Sequence, residues 1–559
     1  MNGMDMNWWK DAVFYQIYPR SFQDSNGDGI GDLAGIESRL DYLAGLGVDA
    51  LWISPFFKSP MKDFGYDVAD YVSVDPVFGD MGDFRSLLAA AHRRGLKVVV
   101  DLVLNHTSDE HPWFREARES RDSARHDWYI WKPVPERGPR RPPNNWISLF
   151  ELRSAWYENP ATREWYLAMF TRSQPEVNWR NPELREAMYG VMRAWLDLGV
   201  DGFRLDVATG YFKDELFRSN PFKPRLVPDL LQDHLYDRNR PEIHGVFRDF
   251  RRIADSYGGR VLIAEPHGQD RALAASCHGK EGDELHMAFN FEFLTRPWGA
   301  ASFRDSARSW YEALPPGAWP NFTLSNHDQP RHIHRYRKGP DTEARARVAA
   351  ALLLTLRGTP FLYYGEEIGM GCCRLPRKAL RDPLGIRTWP FSGFGRDPER
   401  TPMQWDASDR AGFTTGTPWL PVNPDFKARN VAAQDGNPGS LLAFYKGLLA
   451  LRRRVPALRS GNLEFLGEDP DVLAYRRTPS EAATEPKAGP KAPGPSQAPG
   501  GRVQTVLVVL NFYGSRRTFP LSRGGRVLAG TARAEGSEVA AGTIELAGYE
   551  VLILERPEA

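Results

Sequence analysis

Cysteine is scarce. The chain has three, Cys277, Cys372 and Cys373, in 559 residues. Cys372 and Cys373 are adjacent and poorly placed to bridge each other, and no spacing suggests a zinc site or a disulfide framework. Charge of one sign is lacking too: 72 basic against 71 acidic residues leave a formal net charge of +1. That balance gives no reason to expect nucleic acid or a membrane surface as a partner. No apolar run approaches the ~20 residues of a spanning helix. The N-terminus has no apolar stretch behind a basic start. A cytoplasmic, reducing location is the expectation, with no membrane and no nucleic-acid partner.

The length exceeds one compact core, so one large domain with one or two smaller ones is expected. Short β-branched or aromatic runs recur, each followed by a helical pattern. Candidate strands are Ala12–Tyr18, Ala50–Ser54, Lys97–Leu104, Gly202–Val207, Arg260–Ala264, Met287–Phe293, Phe322–Ser325 and Pro360–Tyr364. Amphipathic segments such as Asp80–Arg94 and Asn181–Leu198 lie between several of them. Alternation of this kind argues for βαβ units and a parallel sheet. Eight such strands point to an α/β fold of the (β/α)8 TIM-barrel type.

Two stretches interrupt the pattern. Residues 107–173 are polar, Pro-rich and Trp-rich, and read as a subdomain inserted after strand 3. A second long segment, about 210–243, follows strand 4. After Ser440–Leu458 the texture changes to short alternating runs, Val472–Arg476, Val503–Phe512 and Gly548–Leu554, which read as an antiparallel β-sandwich domain. Between two of them lies Pro479–Gly501, built of Pro, Ala, Gly, Ser and charges. It cannot bury enough apolar area to offset its ordering entropy, so a disordered loop is expected. The barrel is assigned to 1–106 and 174–458, the inserted domain to 107–173 and the β domain to 459–559.

Active sites of such barrels sit at the C-terminal ends of the strands. Strand 3 ends in Asp101, Asn105 and His106, strand 4 in Arg204 and Asp206, strand 5 in Glu265 and strand 7 in Asn326-His327-Asp328-Gln329. A lone Asp after a strand is more often a helix N-cap, and a lone His a satisfied core residue. Four polar strand ends on one rim are much harder to explain by capping. Asp206 and Glu265 end consecutive parallel strands, which lie about 4.7–4.9 Å apart. Their carboxyls can therefore approach the separation of about 5–5.5 Å used by retaining glycosidases. Arg204 lies two residues before Asp206 on the same face and is expected to keep it ionised as nucleophile. Glu265 is then the general acid/base, protonated at the start.

These strand ends resemble the ordered motifs of glycoside hydrolase family 13, the α-amylase family. The resemblance rests on Asp101–His106, Gly202–Asp206, Glu265 and Asn326–Asp328. Its α-glucosidase branch is matched by Trp8–Asp24, Gln174–Trp179, Gly358–Glu367 and Arg400–Trp405. It runs from about Asn7 to Leu458. Ala264-Glu265-Pro266-His267 departs from the usual surroundings of the acid/base. The resemblance implies a nucleophile at Asp206, an acid/base at Glu265 and a transition-state stabiliser at Asp328. It also implies a glucose pocket formed by Tyr66, Asp67, His106, Arg204, His327 and Arg400, with Phe150 as a further wall. Val207 is the residue type linked in the branch to α-1,6 cleavage, whereas Asp237–Glu242 resembles α-1,4-selective relatives. The two cues conflict.

Asp24, Asn26, Asp28, Ile30 and Asp32 alternate with Ser and Gly. Alternating oxygen ligands suit a hard cation, Ca2+ or Mg2+. The loop is no EF-hand, because the twelfth position is Gly35 rather than Glu. An Asn/Asp/Gly-rich turn is the plainer alternative. The resemblance favours a structural metal here, and no organic cofactor is implied.

The expected activity is that of an exo-acting, retaining α-glucosidase on maltose, isomaltose, sucrose or short oligosaccharides. A transglucosylase or isomerase, such as a trehalose synthase or sucrose-using enzyme, is the alternative within the fold. A non-catalytic relative of the transporter-subunit type fits poorly. All three carboxylates are present and no spanning segment exists.

Overall fold

The computed structural model describes residues 6–223, 232–390, 395–479 and 505–556. Eight parallel strands form a nearly closed barrel. They are β1 (Phe14–Ile17), β2 (Ala50–Ile53), β3 (Lys97–Leu102), β4 (Gly202–Leu205), β5 (Val261–Ala264), β6 (Met287–Ala288), β7 (Asn321–Thr323) and β8 (Thr359–Tyr363). Neighbours pair in the order β6-β5-β4-β3-β2-β1-β8-β7. All eight strands read from the sequence are present. The sixth is shorter than the run Met287–Phe293, because Asn290 accepts from the Phe293 amide and caps a short helix, Phe291–Leu294.

Alternation along each strand divides the core in two. Phe14, Ala50, Trp52, Val99, Val261, Ile263, Met287 and Phe361 belong to one apolar cluster inside the barrel. Their neighbours Tyr15, Leu51, Val98, Val100, Phe203 and Leu262 belong to the larger cluster shared with the outer helices. One of those helices, Pro182–Leu198, starts on Asn181, whose side chain accepts from the Glu183 and Leu184 amides, and stops at left-handed Gly199. Its buried stripe of Leu184, Met188, Met192 and Trp195 faces the sheet. At Gly202 a side chain is excluded, since a Cβ would lie 2.1 Å from the Val261 carbonyl oxygen. That close approach brings β4 and β5 into register, Arg204 opposite Ile263 and Leu205 opposite Ala264.

Between β3 and the Pro182–Leu198 helix, strands Trp131–Pro133, Trp156–Asn159 and Glu164–Leu167 form a three-stranded antiparallel sheet. The C-terminal part is a six-stranded antiparallel sheet with a further two-stranded one. Leu521 and Leu546 of the small sheet pack with Val472, Leu507 and Leu552 of the large one. Buried Arg477 ties this domain to the barrel by donating to the carbonyls of Thr355 and Leu458. The Pro479–Gly501 loop, apart from Pro479, lies outside the described residues. Among those described, no helix is long and apolar enough to cross a membrane.

Candidate active site

The register that pairs Leu205 with Ala264 places Asp206 and Glu265 one step further along, side by side at the C-terminal rim. Arg204 lies beneath both. Its Nη1 donates to Asp206 Oδ1 at 2.7 Å and to Asp101 Oδ1 at 2.7 Å, and its Nη2 pairs with Glu265 Oε2 at 2.6 Å. The guanidinium is thus shared by three carboxylates rather than reserved for Asp206. Val207 follows Asp206 with φ 44° and ψ 41°. Left-handed backbone is strained for a β-branched residue. Here it turns the Val207 amide onto Glu265 Oε2 at 3.1 Å.

Asp328, from the loop after β7, faces this group. Its Oδ1 accepts from Arg400 Nη2 at 2.8 Å and from Arg396 Nη1 at 3.4 Å. His327 lies flat against the Tyr66 ring, centroids 5.4 Å apart and planes within 7°. The Gln16 amide meets His327 Nδ1 at 2.7 Å. The imidazole proton therefore sits on Nε2, 2.6 Å from the Tyr66 hydroxyl and 3.1 Å from Asp328 Oδ2. The Tyr66 hydroxyl then donates to Asp101 Oδ2 at 3.1 Å. His106 packs behind the Tyr66 backbone, its Nε2 3.0 Å from that carbonyl. Burial lowers the pKa of both histidines, so both are neutral.

These groups surround a cavity of about 530 Å3. Tyr66, His106, Phe150, Asp206, Val207, Glu265, His327 and Asp328 line it. Arg204 and Arg400 are fully buried behind the wall and act through the carboxylates they hold. Asp67 does not line the cavity. Its Oδ1 accepts from the Ser59 hydroxyl and the Asp63 amide, and its Oδ2 from the Lys62 amide. Asp67 therefore shapes the loop, and the acid that this loop presents to the cavity is Asp63. Arg396 completes that side: Nη2 donates to Asp63 Oδ1 at 2.6 Å, Nε to Asp382 Oδ1 at 2.7 Å, and the guanidinium lies 4.2 Å from the Phe150 ring centroid. Gln174 Nε2 donates to Asp63 Oδ2 at 3.1 Å. Asp63, Arg396 and Gln174 are absent from the sequence-derived pocket. The available signal was proximity: Asp63 is four residues from Asp67, and Arg396 four from Arg400.

Electrostatics separate the three acids. Burial pushes the Glu265 carboxyl up to about 8, with the nearby charges of Asp206 and Asp328 adding and Arg204 opposing. Burial likewise raises Asp206, to about 7, against the pull of Arg204. Arg204 opposes burial at both acids and so does not by itself hold Asp206 low; of the coupled pair, Glu265 is raised the further. Asp328 is driven the other way. Burial works against its ionised form, but the guanidinium groups of Arg400 and Arg396, with the His327 Nε2–H beside it, outweigh it and hold the carboxylate well below its usual range. The arrangement supplies one protonated acid, one carboxylate beside it and a permanently ionised third.

The Asp24–Asp32 loop is folded on its own amides. Asp24 Oδ1 accepts from the Asn26 and Gly27 amides, and its Oδ2 from Gly29. Asn26 and Asp28 accept from the Asp28 and Ile30 amides, and Asp32 accepts from Ser25 and Gly35. Both Asp24 oxygens and Asp32 Oδ2 already accept two donors, with Thr414 and Ser25 hydroxyls as further partners. Asn26 Oδ1, Asp28 Oδ1 and Asp32 Oδ1 each accept one and keep a lone pair, and that hard-oxygen chemistry suits Ca2+ or Mg2+. The carboxylates do not converge, however. Among the described residues no three or more His, Cys, Asp or Glu side chains are placed to hold a metal ion.

Comparison with known proteins agrees with this geometry. The family model "Alpha amylase, catalytic domain" matches residues 16–461. A probable alpha-glucosidase of Rhizobium meliloti is 46% identical over 490 residues, 85% of this chain and 88% of the relative. An oligo-1,6-glucosidase of Parageobacillus thermoglucosidasius is 40% identical over 509 residues, 85% and 89% of the two chains. Among solved structures, the alpha-glucosyl transfer enzyme XgtA superposes with a TM-score of 0.88 at 40% identity, covering 98% of this chain and 99% of that one. A mutant of the trehalulose synthase MutB, in complex with the substrate sucrose, gives 0.85 at 34% identity with 98% and 99% coverage. The chain belongs to the α-amylase family, glycoside hydrolase family 13, and is a glycoside hydrolase of the α-glucosidase kind.

Proposed function

We propose that the enzyme releases glucose from the non-reducing end of short α-glucosides by a retaining, two-step mechanism. The observation that carries this reading is the pairing of Asp206 and Glu265 on the two terminal nitrogens of one guanidinium. That sharing suits the separation of about 5–5.5 Å of a retaining pair better than the wider gap that admits water between the acids. Asp206 attacks the anomeric carbon while Glu265 gives its proton to the leaving oxygen. Water, deprotonated by Glu265, then cleaves the glucosyl ester on Asp206. Asp328 stays ionised and grips sugar hydroxyls as positive charge develops on the ring. Loops after β2 to β8 all contribute to the cavity wall, and such enclosure favours one terminal glucose over a long chain. The first glucose detected by proton NMR during hydrolysis is expected to be the α-anomer. Initial β-glucose would exclude the retaining assignment.

The same intermediate serves transfer when a sugar replaces water. The likeness to an alpha-glucosyl transfer enzyme and to a trehalulose synthase, each over nearly the whole chain, supports this second reading. Products resolved over time from maltose, isomaltose, sucrose and trehalose decide between the two readings and assign the linkage. A cytoplasmic location is part of the proposal, supported by three free cysteines. So is a structural Ca2+ or Mg2+ at Asp24, Asn26, Asp28, the Ile30 carbonyl and Asp32, supported by donor chemistry alone. Chelation is expected to lower Tm with recovery on adding Ca2+; an unchanged Tm returns the loop to a self-satisfied turn.

A further inference from the structure

Strand β1 carries a polar residue where its alternation calls for carbon. Phe14 belongs to the apolar cluster inside the barrel, so Gln16, two residues on, points inward above it. Gln16 is 1% exposed and does not line the cavity. Its backbone is tied into the sheet, its carbonyl accepting from the Tyr364 amide. Burying an amide there is unfavourable unless the group is hydrogen-bonded. Gln16 Nε2 donates to His327 Nδ1 at 2.7 Å and to Ser54 Oγ at 3.3 Å, while Oε1 has no partner. With the amide turned over, two N–H groups would stand where that oxygen now stands alone. Orphaned buried N–H groups are rarer than under-satisfied carbonyls. Gln16 therefore offers His327 a hydrogen, and Nδ1 must accept it.

The far side of the ring needs that tautomer. Nε2 lies 3.1 Å from Asp328 Oδ2, and an ionised carboxylate can only accept. With the proton on Nε2, the Tyr66 hydroxyl is free to give its single hydrogen to Asp101 Oδ2, which also takes the Trp52 indole N–H at 3.2 Å. With the proton on Nδ1, the Nε2 lone pair would face the lone pairs of Asp328. Tyr66 would turn its hydrogen to Nε2, and Asp101 would lose a donor. Asp101 in turn shares Arg204 with Asp206. One amide on β1 thus decides the direction of every hydrogen bond from His327 to the guanidinium beneath Asp206 and Glu265.

We propose that Gln16 is a positioning residue of the reaction: by donating to Nδ1 it keeps the His327 proton on Nε2, where that proton serves Asp328 and frees the Tyr66 hydroxyl for Asp101. This rests on the reading of Asp328 as the group that meets positive charge on the sugar ring. Gln16 touches neither substrate nor reacting atoms and acts through His327. Its effect is therefore greatest when that charge develops, because the contact of Asp328 with the sugar strengthens at that moment. Loss of the amide should lower kcat and leave KM nearly unchanged.

The test pairs one variant with one spectrum, both on the full-length enzyme. Gln16→Met keeps an unbranched side chain of similar length and removes the donor. Per folded molecule, kcat on 4-nitrophenyl α-glucoside is expected to fall by about tenfold, the worth of one hydrogen bond, with KM within about twofold. Binding of a cationic iminosugar, which carries the charge of the transition state, should weaken by about the same tenfold, and binding of neutral glucose hardly at all. A role in folding alone would move the amount of native enzyme and neither of these ratios. Independently of any variant, nitrogen NMR of the enzyme labelled with 15N-histidine reads the tautomer, the His327 signals being those lost in His327→Asn. The parent is expected to show the proton on Nε2 and a bare, hydrogen-bonded Nδ1, whose signal shifts in Gln16→Met. A parent with the proton on Nδ1 overturns the proposal. So does a Gln16→Met enzyme with parental kcat and parental iminosugar affinity, and in that case the hydrolase reading stands. No turnover of any α-glucoside by the parent overturns that reading and the role of Gln16 with it.

Discussion

The two ends of the barrel interior are built on the same strands and the same alternation, yet they do opposite things. Toward the N-terminal ends, Phe14, Val99, Val261 and Phe361 fill the space with carbon. Two to four residues further along, the inward positions become Asp101, Arg204, Asp206 and Glu265. The lower layer gains by removing apolar area from water. The upper layer holds three acids out of water around one guanidinium, which is unfavourable unless every charge is partnered. The comparison teaches that strand geometry positions both layers, and that side-chain chemistry alone decides which layer stabilises and which reacts.

The contrast breaks most visibly at Asp206. Asp206→Asn is expected to lower kcat/KM for an aryl α-glucoside by about ten-thousandfold or more, as loss of a nucleophile does. Its thermal unfolding should occur at or above the parent temperature, since a buried acid with a raised pKa has been removed. Phe361→Ala, in the lower layer, should do the reverse. A cost of about 3–5 kcal/mol in stability is expected, with kcat per folded molecule near the parent value. Loss of kcat without loss of stability would mean that the layers are not separable.

pH sharpens the comparison further. The proposed mechanism needs Asp206 ionised and Glu265 protonated. kcat/KM is therefore expected to fall below about 7 and above about 8, the two values belonging to the pair as a unit. A flat profile from 5 to 9 would contradict the assignment of roles. The smallest expected effect concerns stability. Glu265 in the folded protein titrates at about 8, above an ordinary carboxyl. Its contribution to stability is complete below the ordinary carboxylate range and is lost as pH rises through about 8. Glu265→Gln cannot ionise, so its Tm advantage over the parent should widen between pH 6 and pH 9. A constant gap would show that burial does not penalise this carboxylate.

The upper layer was largely legible in the sequence because strands have a period. Once β4 and β5 are recognised, Arg204, Asp206 and Glu265 follow from position, and the motif order brings in Asp328. The loop side was not legible in the same way. Asp63 and Asp67 lie on one turn, and which of them faces the cavity depends on left-handed backbone at Met61 (φ 59°) and Phe64 (φ 52°). No pattern of residue types announces those angles. Arg396 is likewise fixed by its partners, Asp63 from the distant loop after β2 and Asp382 from its own segment after β8. The sharing of Arg204 by three acids also escaped the sequence, since it requires the lateral register of β3, β4 and β5. The fold itself, with eight strands and the antiparallel C-terminal sheet, was readable from alternation and spacing.

The central claim is a covalent glucosyl-enzyme on Asp206. A fluorinated glucosyl fluoride that forms this intermediate quickly and releases it slowly would hold it for proteolysis and mass spectrometry. The account predicts one added sugar, on the peptide that carries Asp206, and none in Asp206→Asn. A labelled peptide elsewhere, or turnover of the reagent with no labelled peptide at all, would contradict it.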